Sequence, residues 1–168
     1  MKTIRTQTLF ASFAITILLL FNVSTAMAGG PGESAENKGK FRGRIEVTFT
    51  KWVTDLPNMA GLVSGDAGGG HFAGEVLSYA HTDAIDKLEA LYHINGAAFQ
   101  FTAHNFVTQN NLKGTAVIRG VVTDGPLKGA RVQGEYQVIA PCGIANSQTG
   151  GPFSDACFQG TLTIRGDD

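Results

Sequence analysis

Few residues in this chain have the types and spacing that chemistry needs. His71 and Glu75 lie four apart, with Tyr79 next along, and a His–Glu pair can exchange protons. On an alternating strand, however, Phe72, Gly74 and Val76 take the apolar face. His71, Glu75 and Tyr79 then fall on the polar, solvated face. His93 and His104 share a face of adjacent strands, but the register read below sets them six ladder positions apart. That is too far for a zinc site, which wants three or four ligands in compact geometry. The stretch GLVSGDAGGG has glycines but no lysine and no following helix, so it makes a poor phosphate cradle. Ser64 and Ser78 lack a nucleophile elbow. No catalytic residue, metal site or cofactor is expected. Cys142 and Cys157 are the only cysteines. In an oxidising compartment they are expected to form one disulfide closing PCGIANSQTGGPFSDAC, a thiolate metal pair being the alternative without further ligands nearby.

The elements that would carry any site are strands. The pattern apolar-x-Gly-x recurs in FRGR, FAGE, LKGT, IRGV, LKGA, VQGE and FQGT. In FRGRIEVTFT, Phe41, Gly43, Ile45, Val47 and Phe49 share one face, and Arg42, Arg44, Glu46, Thr48 and Thr50 the other. Period two with one apolar face marks a half-buried antiparallel strand. The glycine falls on the apolar face each time, where a missing side chain lets the strand coil inward, as barrels require. Gly160 in FQGTLTI is read as such a bending point.

Asn95-Gly96 is a two-residue hairpin signal. It predicts Ile94 opposite Ala97, Tyr92 opposite Phe99, Ala90 opposite Phe101 and Leu88 opposite Ala103. A second hairpin is expected around Asp124-Gly125-Pro126, with a β-bulge near Ala130 to explain a slip in parity. In residues 81–91, Ala84, Ile85, Leu88 and Leu91 have helical spacing with Thr82 as a candidate N-cap, and a short helical turn to about Asp86 is expected before the strand resumes. A Gly-rich loop over one end is expected within 54–70. The reading is all-β: an antiparallel up-and-down barrel of about eight strands, at 41–53, 59–64, 71–80, 87–94, 97–107, 113–123, 129–140 and 156–165.

The segments FAGEVLSY, AFQFTAH, AVIRGVVTDG and ARVQGEYQVI resemble the glycine-punctuated strands of allene-oxide-cyclase-type barrels, a group that includes dirigent proteins. More loosely, the chain is similar to calycins. The resemblance runs over residues 41–165 and supplies no catalytic positions. It implies an eight-stranded barrel with an apolar cavity, often oligomeric, in a group of isomerases, cyclases and proteins that orient a reactive ligand.

The apolar face would line the lumen with Phe49, Phe72, Tyr92, Phe99, Phe101, Ile118, Val122, Tyr136, Phe158 and Leu162. An eight-stranded lumen is either filled by side chains or holds one small ligand. Tyr92, Phe99, Phe101 and Tyr136 are the expected ligand-binding residues. The leading expectation is non-catalytic binding of a small apolar or aromatic molecule. The alternatives are an isomerase or cyclase, which needs a carboxylate or histidine facing the lumen, and an interaction module, which needs an exposed apolar patch.

The ends and the charge bound the rest. Lys2 and Arg5, an apolar run to Val23 and Ala26-Met27-Ala28 read as a signal peptide over 1–28. Export to the periplasm or beyond follows. Residues 29–40 are expected to be a flexible leader and 41–168 one domain. With 13 basic and 14 acidic residues, two of the basic ones in the signal, the mature net charge is 11 − 14 = −3. No Lys/Arg cluster stands out, which argues against nucleic acid and, after cleavage, anionic membranes as partners. A homo-oligomer and a small apolar ligand remain the expected partners.

Overall fold

In a computed structural model, residues 41–143 and 155–166 are described. The segments expected to be a signal peptide (1–28) and a leader (29–40), and the centre of the Cys142–Cys157 segment, lie outside them. Eight strands follow in order: β1 (Arg44–Asp55), β2 (Asn58–Gly65), β3 (Gly70–His81), β4 (Ile85–Gly96), β5 (Gln100–Asn110), β6 (Thr115–Asp124), β7 (Arg131–Ile139) and β8 (Cys157–Arg165). Each pairs antiparallel with the next, and β8 returns to β1 to close the barrel. The all-β up-and-down barrel read from the strand alternation is therefore the fold, and no helix occurs among the described residues.

Alternation places the core. Val47, Phe49, Phe72, Tyr92, Ile94, Ile118, Leu162 and Ile164 point inward and are at most 2% exposed. Burying side chains of this size contributes about 1.5–3 kcal/mol each, before the entropy of ordering them. Gly160 lies between Phe49 and Tyr136 on the ladders either side. A Cβ there would overlap the carbonyl oxygen of Glu135 and press on the Tyr136 backbone. The missing side chain thus allows β7 to approach β8 closely, as a tightly coiled sheet demands.

Four sequence expectations are corrected. Residues 81–86 form no helical turn: a tight turn at 82–84, in which Thr82 Oγ1 accepts from the Ile85 amide at 2.9 Å, leads directly into β4. The alternation of Asp86, Leu88 and Ala90 outweighs the helical spacing. The β4–β5 hairpin is not a two-residue turn. Ile94 faces Phe101, Tyr92 faces Ala103, Ala90 faces Asn105 and Leu88 faces Val107. Residues 97–99 form a wider connection on which the β2–β3 connection docks, with Ala98 N–H donating to the Ala67 carbonyl at 2.8 Å. The shift is even-numbered, so every side chain keeps its face. The parity slip near Ala130 is not a bulge: β6 and β7 pair without register shift, and residues 125–130 absorb the slip as a connection. The expected Gly-rich loop over 54–70 is interrupted by strand β2 at Asn58–Gly65, and residues 66–69 connect β2 to β3.

The two ends of the barrel differ. At one, Ala67, Leu127 and Ala130 are buried over the lumen with Ile94, Phe101 and Val122 beneath. At the other, the β1–β2 and β3–β4 turns stand around an opening. Cys142 and Cys157 are joined, as expected, with Cα atoms 5.2 Å apart. The bond ties the segment after β7 to the first residue of β8.

Candidate functional site

Below that opening lies a cavity of about 380 Å³. The size falls in the range of small-molecule sites. Its wall is mainly apolar: Val53, Met59, Val76, Leu88, Ala90, Val107 and Phe158 line it. Tyr92 and Tyr136, two of the four residues expected to bind ligand, line it as well. Phe101 and Phe99 do not. Phe101 is buried toward the closed end, and Phe99 is half-buried in the β4–β5 connection, packed against the core.

Lys51 holds the inner end. Along β1 and β4, Lys51 and Tyr92 are the lining residues farthest from the turns at the mouth. The Lys51 side chain is buried, 3% exposed, and its amine is hydrogen-bonded to the Tyr92 hydroxyl. Gly61, opposite it on β2, leaves the room, since a Cβ there would come within 2.8 Å of Lys51 Cα. Five rings surround the amine: their centroids lie 4.1 Å (Tyr92), 4.9 Å (Tyr136), 5.6 Å (Phe49 and Phe72) and 5.9 Å (Phe158) from Nζ. Aromatic faces attract a cation, but burial penalises the charged form more. It pushes the ammonium down to about 7. No carboxylate pairs with Lys51 among the described residues.

A polar chain leads outward. The Tyr136 hydroxyl donates to Gln109 Oε1 at 2.8 Å, Gln109 Nε2 donates to Asn111 Oδ1 at 2.8 Å, and Asn111 Nδ2 donates to Asp86 Oδ1 at 2.9 Å. Asp86 also accepts from His81 Nδ1 at 2.6 Å and from the Tyr79 hydroxyl at 3.1 Å. Burial opposes ionisation of Asp86, but the hydrogen bonds from Asn111, His81 and Tyr79 prevail and hold its carboxyl below the ordinary range. Burial, then Asp86, raises the Tyr79 hydroxyl, and burial raises Tyr136 and Tyr92.

Tyr79 corrects a sequence expectation. The register of β3 shifts between Val76 and Ser78, so Leu77 is an extra residue and Tyr79 pairs with inward-facing Leu88. The bulge turns Tyr79 to the cavity rim while His71 and Glu75 stay outside. His93 and His104 also lie closer than expected. His104 is two residues from Thr102, the ladder partner of His93, rather than six positions away. They bind separately: His93 contacts Thr102 Oγ1 at 3.0 Å and His104 contacts Glu89 Oε1 at 2.7 Å.

Among the described residues, Lys51, Asp86, Asn105 and Gln109 are the buried polar ones, and none is an expected site residue from sequence. The signal was present. Lys51 continues the odd parity of Phe49, Asp86 the even parity of Leu88, and Asn105 and Gln109 the odd parity of Phe101 and Val107. No family model, curated protein or solved structure matches this chain.

Proposed function

We propose that the protein binds one small, largely apolar molecule in its lumen, with a polar head group against Lys51. The observation that carries this is the buried amine of Lys51, the one amine lining the cavity, at the inner end of a mainly apolar wall. A packed core has no use for it, because a methionine would fill the space without the desolvation penalty. A ligand that brings a hydrogen-bond acceptor to Nζ recovers part of that penalty. The resemblance to allene-oxide-cyclase-type barrels supports the same reading, and the disulfide supports an exported setting. Catalysis by Asp86 is disfavoured despite its lumenal position, because His81, Asn111 and Tyr79 already occupy its oxygens.

Calorimetric titration with 1-naphthoate, naphthalene and 1-naphthylmethylamine tests the proposal. The expected result is saturable one-to-one binding, strongest for the carboxylate and weakest for the amine. Absence of saturable binding, or tightest binding of the amine, overturns it.

A further inference from the structure

We infer that Lys51 captures the carbonyl group of a small apolar aldehyde or ketone as a reversible imine. This rests on the lumenal-site reading and specifies its ligand class. Three features support it. First, among the residues lining the cavity Lys51 carries the only primary amine, at the inner end where a ligand's head group arrives. Second, the amine must be uncharged to attack a carbonyl. With its ammonium pushed down to about 7, a large fraction of Lys51 is free base near neutrality, whereas an exposed lysine, with an ordinary pKa of about 10.4, is almost wholly protonated. Third, the surroundings favour the product. A neutral imine among five aromatic rings carries none of the charge that burial penalises.

The groups facing Nζ are few. β4 supplies the Tyr92 hydroxyl and β7 the Tyr136 hydroxyl, while Gly61, Phe72 and Phe158 from β2, β3 and β8 bring no titratable group. Asp86 lines the same cavity three inward-facing positions along β4 from Tyr92, at the mouth.

The step balances without another reagent. The Nζ lone pair adds to the carbonyl carbon, and the carbon–oxygen π pair moves to oxygen. The two protons of the amine pass to that oxygen, with the Tyr92 hydroxyl placed to relay them. Water then leaves with the carbon–oxygen bonding pair as the C=N bond forms. It exits through the mouth, and its return reverses the capture.

The test treats the full protein near neutral pH with cinnamaldehyde and sodium cyanoborohydride, whose hydride fixes an imine as a secondary amine. Peptide mapping then locates the adduct, which adds the aldehyde's mass less one oxygen. The expected result is labelling at Lys51 over the exposed Lys87, Lys113 and Lys128 by about tenfold or more. Excess cinnamyl alcohol, which fits the cavity but cannot condense, should suppress it. Labelling confined to the exposed lysines, while cinnamyl alcohol still binds saturably, overturns the imine and leaves the lumenal site standing. Failure of both compounds to bind overturns both. Tyr92→Phe keeps the amine and should slow labelling without moving it, and an unchanged rate removes Tyr92 from the relay.

Discussion

Replacing Lys51 by methionine keeps the length of the side chain and removes its amine. The ammonium is pushed from 10.5 to about 7 by burial, a change of about 10.5 − 7 = 3.5 units. At about 1.4 kcal/mol per unit, the buried amine costs roughly 5 kcal/mol of stability wherever both folded and unfolded states would hold the proton, that is below pH ~7. The sign follows from proton counts. Between the folded and unfolded values the unfolded chain binds more protons, so stability rises with pH, and the penalty is gone above ~10.5. Methionine also leaves the Tyr92 hydroxyl without its partner, a loss of about 1–3 kcal/mol at any pH. The variant should therefore be more stable than the parent by about 2–4 kcal/mol near pH 6, and equal or less stable near pH 10.5. Urea unfolding followed by the fluorescence of Trp52, the only tryptophan, measures this. The difference between variant and parent cancels tyrosine titration common to both. A difference that does not change with pH, or a variant less stable near pH 6, would refute the assignment of a desolvated amine.

Other substitutions probe the frame around the site. Gly160→Ala places a Cβ against the Glu135 carbonyl and should cost about 1–3 kcal/mol, at the upper end because backbone is the obstruction, read as a lower denaturation midpoint. Serine at both Cys142 and Cys157 should cost about 3 kcal/mol in the chain-entropy account while leaving naphthoate affinity unchanged, since neither cysteine lines the cavity. Asp86 has a lowered carboxyl pKa, so its contribution is present above the ordinary carboxylate range and lost as pH falls through the folded value. Asp86→Asn should flatten the acid side of the stability profile, and an unchanged acid limb would remove Asp86 from that role.

The strand reading succeeded where alternation and glycine placement agreed. FRGRIEVTFT fixed the inward set of β1, and Phe49, Phe72, Ile118 and Leu162 are buried in the lumen as that alternation requires. The site was only partly legible. Tyr92 and Tyr136 were reached because aromatic side chains on an inward face stand out. Lys51 lies on the same face as Phe49, inside the strand expected over 41–53, but a lysine is almost never buried without a charged partner, so its residue type argued against a lumenal place. Asp86 was hidden by the helical spacing of residues 84–91, which local pattern alone does not separate from a strand. Tyr79 depended on a bulge at Leu77, and nothing in VLSYAH marks that residue as extra. The hairpin register after Asn95-Gly96 was set by a distant loop carrying Ala67, a contact local turn chemistry does not encode.

The central claim is that the lumen is a ligand site ending at Lys51. Crystals grown with 4-bromobenzoate, read by the anomalous scattering of bromine, test it most directly. The account predicts one bromine site inside the barrel, among Leu88, Val107 and Met59, with the carboxylate turned toward Lys51 Nζ. Crystals with no bromine in the lumen, and with side chains closed over the space beside Lys51, would contradict it.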